Sequence, residues 1–238
     1  MPDVIDIAEI SIAVTRKAVK NVHLSVHPPD GRVTLVAPRA TRLDVARAYA
    51  VTRLGWIRKQ QAQLRGQARE APRRFVGRET HYLWGRRHLM QVIERDQKPA
   101  IEVTHRTLRL IVRPGTTEAK RAEIMHKWHL ATLHAEVPAI IRRWEKRLGV
   151  KVAGYFLQRM KTKWGSYNPA RRTIRLNTEL VKKPKDLLEY VIVHEMLHIL
   201  EPRHSEKFTR LLDRHFPAWR EARGELNALP VPNLETGY

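Results

Sequence analysis

At positions 194–198 the chain reads His-Glu-Met-Leu-His, and another histidine follows at position 204. Residues four apart stand one turn apart on the same helix face, so His194 and His198 can both reach one metal ion. In this HExxH pattern the intervening carboxylate, Glu195, lies beside the metal and serves as general base toward metal-bound water. The neighbours Val191, Ile192, Val193, Met196, Leu197, Ile199 and Leu200 make the helix apolar on almost every side, which calls for burial. A buried polar group without a partner costs about 1–3 kcal/mol when neutral and far more when charged. Three such groups in one apolar helix need a common explanation, and a metal supplies one.

Pro202 stops this helix, and the backbone beyond it can turn and return His204 to the metal. Three protein ligands with a fourth position open to water make a catalytic zinc site, and a closed structural site has no use for Glu195. The expected content is one zinc ion per chain. A downstream carboxylate is the alternative third ligand, with Glu221 best placed and Glu206 and Glu225 less so. His204 ranks ahead because the helix break delivers it. Metzincins carry a Gly midway between the second and third His, and Ile199 to Arg203 contains none. Zinc lowers the pKa of its water from about 15.7 toward about 7, so Glu195 can take that proton while the metal polarises a scissile carbonyl. The same carboxyl can later protonate the leaving amine.

The residues that must present these groups also have readable patterns. Pro184 suits the first turn of a helix over about 184–200, and Asp186 and Glu189 suit its N-terminal dipole. Upstream, Gln158 to Tyr167, a turn at Asn168-Pro169 and the alternating Thr173 to Asn177 predict a hairpin. Thr173 to Asn177 is expected to be an edge strand that flanks a cleft and pairs with extended substrate. Gly165 allows close backbone approach, and Lys163 or Tyr167 can donate to a developing oxyanion. Trp164 and Asn177 complete the candidate substrate contacts, while ordinary hairpin packing accounts equally well for Trp164 and Tyr167.

Elsewhere, Ile10 to Val14, Val22 to Val26 and Val33 to Leu35, the last after a Pro28-Pro29-Asp30-Gly31 turn, predict three short antiparallel strands. Thr41 is expected to cap a helix running to about Leu64, and the polar stretch 65–74 reads as a linker. A second strand-rich stretch covers Tyr82 to Trp84, Leu89 to Ile93, Ile101 to Val103 and Leu108 to Val112. The longest helix then starts at Thr116 or Thr117 and ends at Gly149, with a kink expected at Pro138. His126, His129 and His134 on that helix make a second histidine group, read either as another metal patch or as surface histidines. A small helical tail spans Ser205 to about Leu229. No internal repeat at a fixed period is visible. The domains expected are a β-strand and helix subdomain over 1–70, a catalytic domain over 71–229 and a tail over 230–238.

Four segments together resemble a known family. MKTKWGSY, the following IRLN, LLEYVIVHEMLH and RHSEKF are similar to the YgjP-like metallopeptidases, whose usual strings are MKTRWGSC, a Leu-Asn after one strand, and YVVVHELCH followed by NHS and a Phe. The likeness extends weakly over the N-terminal part, through Trp56-Ile57 and the segment near Gly85. It implies a zinc peptidase with ligands His194, His198 and His204 and a catalytic Glu195. In this motif the chain is also similar to the SprT-like and Wss-type proteases, which act on proteins bound to DNA. Three positions depart from the family pattern: Tyr167 and Leu197 replace its cysteines, and Arg203 replaces its Asn. The fold class expected is α+β, a zincin-like catalytic domain with a mixed, mostly antiparallel sheet and an HExxH helix, preceded by a small β-rich plus helix subdomain.

Composition narrows the partners. The 238 residues include 45 Lys plus Arg against 24 Asp plus Glu, a net charge of +21 that makes DNA or a nucleoprotein a plausible partner beside a protein or peptide substrate. A basic nucleic-acid-binding protein with an architectural zinc is therefore the alternative function. With no cysteine there is no disulfide framework, no Cys-ligated zinc and no thiol nucleophile, which also removes the zinc deaminases. No run approaches a membrane span and Met1 to Asp6 lacks a signal-peptide pattern, so the expected location is the cytoplasm, with no membrane partner.

Overall fold

A computed structural model describes residues 3–27, 31–66, 73–160 and 163–228. Residues 28–30 of the expected turn, 67–72 of the expected linker, Lys161 and Thr162 of the first family string, and the expected tail over 230–238 lie outside the described residues. The described residues form two compact units, one within 3–66 and one within 73–228. Among them, no helix is long and apolar enough to cross a membrane.

The first unit holds β1 (Asp3–Ile7), β2 (Ile10–Lys17), β3 (His23–His27), β4 (Arg32–Pro38), α1 (Leu43–Thr52) and α2 (Leu54–Gly66). Its sheet runs in the order β1-β2-β4-β3. The alternation of Ile10, Ile12 and Val14 and of Val33 and Leu35 puts one face of the sheet on a core with Ala46, Ala50 and Ile57. Four differences from the expected pattern arise here. A fourth strand, β1, pairs along the outside of β2, and β2 runs parallel to β4 rather than antiparallel. Arg42, not Thr41, caps α1, and the expected single helix is broken at Arg53.

The second unit begins with β5 (Thr80–Leu83), β6 (Arg86–Glu94), β7 (Ala100–Val103) and β8 (Thr107–Val112), followed by α3 (Glu118–Leu148). This sheet, β5-β6-β8-β7, repeats the order of the first, again with the second and fourth strands parallel. Sequence periodicity misses that repeat because what recurs is pairing and order rather than residue type. Thr117 caps α3 by accepting a bond from the Lys120 N–H at 3.3 Å, and Gly149 ends it with a left-handed φ of 66°. The helix is continuous through Pro138, where a kink was expected.

A three-stranded sheet follows, with β9 (Gly154–Gln158), β10 (Gly165–Asn168) and β11 (Thr173–Asn177) in the order β10-β11-β9. β10 and β11 form the expected hairpin, but β9 adds parallel to the far side of β11. Thr173 to Asn177 is therefore the central strand, and the strand with an open edge next to the histidines is β10. A 3-10 turn over Thr178–Lys182 leads into α4 (Lys185–Leu197), then α5 (Glu206–His215) and α6 (Trp219–Ala228).

The main core gathers the second half of α3, Ile174 and Leu176 of β11, Phe208 of α5 and Leu226 of α6 around α4. Nine residues of α4 are buried, among them Leu187, Ile192, Val193, Met196 and Leu197. Full burial of each such apolar side chain contributes about 1.5–3 kcal/mol, so α4 is held rigidly on nearly every side. Its N-terminus is fixed by the β5–β6 turn. Trp84 and Gly85 both have positive φ, and their N–H groups donate to the carbonyls of Val181 at 2.9 Å and Lys182 at 3.1 Å. A Cβ on Gly85 would lie 2.8 Å from Cγ of Pro184, the residue capping α4. Gly85→Ala is therefore expected to cost about 1–3 kcal/mol, from the left-handed backbone and the displaced proline, measurable by denaturant unfolding.

Candidate metal centre

α4 delivers His194 and Glu195 from its last turn and His198 from its C-cap, where the backbone is still right-handed helical. The helix ends at Leu197, earlier than the 200 expected, through N–H bonds from Ile199, Leu200 and Glu201 back to Met196 and Leu197. A turn in which the Ser205 N–H donates to the Arg203 carbonyl at 2.8 Å then brings His204 back. Ser205 caps α5 by accepting from the Phe208 N–H at 3.3 Å.

One ligand nitrogen from each of His194, His198 and His204 lies within 4.8 Å of the others. Nε2 of His194 is 3.0 Å from Nε2 of His204. Nδ1 of His198 lies 3.2 Å from the Glu201 carbonyl and donates to it, which leaves its other nitrogen as a lone-pair donor. Nδ1 of His194 is buried with no hydrogen-bond partner. Burial, then the neighbouring His198, His204 and Arg223, lowers the pKa of His194 to about 3, so its imidazole is neutral, the form that binds a metal. The converging Nε2 atoms of His194 and His204, with the His198 nitrogen left free by the Glu201 bond, form a donor set that fits a zinc ion well. The Phe208 ring lies under all three, with centroids 5.0, 4.7 and 4.9 Å from those of His194, His198 and His204. The sequence reading included Phe208 in a family string without giving it this role. Its signal is the spacing, three residues past the capping Ser205.

Glu195 is 7% exposed and lies beside Val191 against Gly165 of β10. Burial raises its pKa to about 7, against the pull of the Lys163 charge and of the Tyr167 backbone N–H. A carboxyl titrating there can both take and return a proton near neutral pH. Gly165 makes this close approach possible, since a Cβ there would lie 2.8 Å from Cγ and Oε1 of Glu195 and from Cγ1 of Val191. Gly165→Ala is expected to shift the carboxylate and lower kcat by about 100-fold with metal content unchanged, checked by steady-state kinetics on metal-quantified protein.

A cleft of about 480 Å³ opens over these groups. Of the residues expected to meet substrate, Lys163, Trp164, Gly165 and Tyr167 line it. Asn177 does not line it and is buried. Its amide donates to the carbonyls of Met160 and Lys163, both at 2.9 Å, and its Oδ1 accepts from the N–H groups of Glu179 at 3.2 Å and Met160 at 3.4 Å. It thus pins the segment that enters β10. Asn177→Ala leaves those buried groups unpaired, with an expected loss of about 1–3 kcal/mol in stability and a raised KM for peptide, read by unfolding and kinetics together.

Glu221 and Glu225 on α6 and Glu206 on α5 are exposed and lie outside both the histidine trio and the cleft lining. Instead α6 contributes Arg223, Leu226 and Asn227 to the lining, and α4 adds Tyr190, none of which the sequence reading singled out. His134 is exposed and bonds the Tyr155 hydroxyl at 2.8 Å. Among the described residues, His194, His198 and His204 are the one group placed to hold a metal, so His126, His129 and His134 do not gather into a second.

The metallopeptidase domain of the YgjP-like family matches residues 20–229. The chain belongs to this family. As a YgjP-like metallopeptidase it is also similar to two solved structures. The metallopeptidase zymogen of Pyrococcus abyssi abylysin is 19% identical, with 38% of this chain and 90% of that one covered and a TM-score of 0.36. The zymogen of Methanocaldococcus jannaschii jannalysin is 26% identical, with 38% and 87% covered and a TM-score of 0.35. No curated protein sequence matches this YgjP-like chain.

Proposed function

We propose that the chain is a zinc-dependent endopeptidase with one ion per chain, held by His194, His198 and His204, in which Glu195 is the general base and acid. The observation that carries this reading is the convergence of His194 and His198 of α4 with His204 from the following turn, beside the buried carboxyl of Glu195. A bound zinc ion supplies Lewis acidity toward a carbonyl and makes water more acidic. The chain's own residues do the rest. The open edge of β10 offers backbone groups to an extended peptide, which orients the scissile bond over α4. Glu195 takes a proton from the attacking water at its carboxylate and passes it to the leaving nitrogen. Lys163, in the cleft lining, is the cation proposed to stabilise negative charge developing on the carbonyl oxygen.

The test is cleavage of an unfolded protein and of internally quenched peptides by zinc-loaded protein, with products identified by mass spectrometry. Internal cleavage supports the endopeptidase reading, and removal of terminal residues alone contradicts it. The net charge of +21 favours delivery to nucleoprotein as the substrate context. That context requires DNA affinity falling steeply with log salt and faster cleavage of DNA-bound than of free protein. Steep DNA binding with zinc retained and no cleavage would instead favour the architectural alternative.

A further inference from the structure

We propose that this cleft selects peptides bearing a carboxylate next to the scissile bond, and that Arg223 binds that carboxylate. The inference rests on the peptidase reading above and adds its substrate class. Arg223 lies on the α6 side of the cleft lining, and Lys163 precedes β10 in the same lining. Both side chains are exposed, and among the described residues neither makes an ion pair or a side-chain hydrogen bond. The neighbouring Arg220 shows the contrast: it pairs with Asp213 at 2.6 Å and stacks over Trp219 at 4.4 Å. The one acid in the lining is Glu195, which is buried and held by the Tyr167 N–H.

Lys163 and Arg223 thus put two cations in the lining against a single carboxylate, and a divalent ion held by three imidazole ligands would add to that excess. A concave site of one sign focuses its field on the incoming ligand. A planar guanidinium with free donors matches a carboxylate in two-point geometry, which the Lys163 ammonium does not. The carboxylate has two possible sources, a side chain of Asp or Glu or the α-carboxylate of a peptide C-terminus.

The experiment uses the full zinc-loaded chain and a panel of quenched peptides that differ only by Glu, Gln or Lys at positions flanking the cleaved bond, each with a free or amidated C-terminus. The expected result is a kcat/KM about tenfold higher for the carboxylate peptide than for its neutral counterpart, the scale of a charged hydrogen bond. Glu over Gln locates the preference in the side chain, and free over amidated locates it in the C-terminus. In Arg223→Gln the preference falls to about onefold, and in Arg223→Glu it inverts toward Lys. Arg106→Gln, an exposed loop substitution with the same charge loss, keeps the wild-type ratio. Equal losses for every peptide in Arg223→Gln would overturn the proposal and make Arg223 a group acting on the reacting carbonyl. An unchanged ratio would also overturn it. Should no peptide be cleaved, the peptidase reading fails on its own, and anisotropy of the same peptides on zinc-loaded protein decides the carboxylate site. Tighter binding of carboxylate peptides that Arg223→Gln abolishes and Arg106→Gln keeps would uphold the site, and equal binding would refute it.

Discussion

Glu195→Gln is expected to lower kcat for peptide hydrolysis by about 100- to 10,000-fold while metal content stays at the wild-type level. Gln keeps the volume that Glu195 fills against Gly165, and its amide oxygen can still accept from the Tyr167 N–H. What it loses is the capacity to take a proton. The fold should persist, because the substitution removes a buried ionisable group and leaves its packing in place. Single-turnover kinetics beside elemental analysis separates loss of the base from loss of the ion. Activity within tenfold of wild type would mean that another group takes the proton.

Metal removal has the second large effect. Chelation, or His194→Ala, is expected to abolish cleavage and lower Tm, because an ion that binds only the folded chain stabilises it by mass action. At a free zinc concentration about 100 times Kd that stabilisation is about 2.7 kcal/mol, a shift of roughly 5–10 °C for a unit of this size. His194 is the proposed ligand to remove, since its Nε2 lies 3.0 Å from that of His204 and its ring lies against those of His198 and Phe208. His194→Ala leaves two imidazoles, with an expected loss of affinity of more than about 100-fold. Scanning calorimetry with and without added zinc reads both effects. Tm and activity unchanged by chelation would contradict a metal at this site.

The histidine trio was legible because its signal is local. Spacing of four on a helix, and a helix break before His204, are properties of eleven consecutive residues. The apolar strand runs of β6 and β8 and the caps of α3 were legible for the same reason. What escaped depends on partners distant in sequence. β9 alternates poorly, with Phe156 exposed at 53%, so nothing in Gly154 to Gln158 announces a strand until β11 is there to pair with it. That hidden neighbour is why Thr173 to Asn177 looked like an edge and is the centre, and why β10 holds the open edge. Asn177 looked like a substrate contact because polar residues near a cleft invite that reading. Its bonds to Met160 and Lys163 exist only once the chain has folded back. Arg223 and Tyr190 were missed because α6 and the buried face of α4 meet over the cleft through tertiary packing alone.

The central claim is that His194, His198 and His204 hold one zinc ion, and its most direct test is elemental analysis of the native chain beside His204→Ala and Glu221→Ala. The account predicts about one zinc per chain in the native protein and in Glu221→Ala, and depletion in His204→Ala. No zinc in the native protein, or zinc kept in His204→Ala and lost in Glu221→Ala, would contradict it.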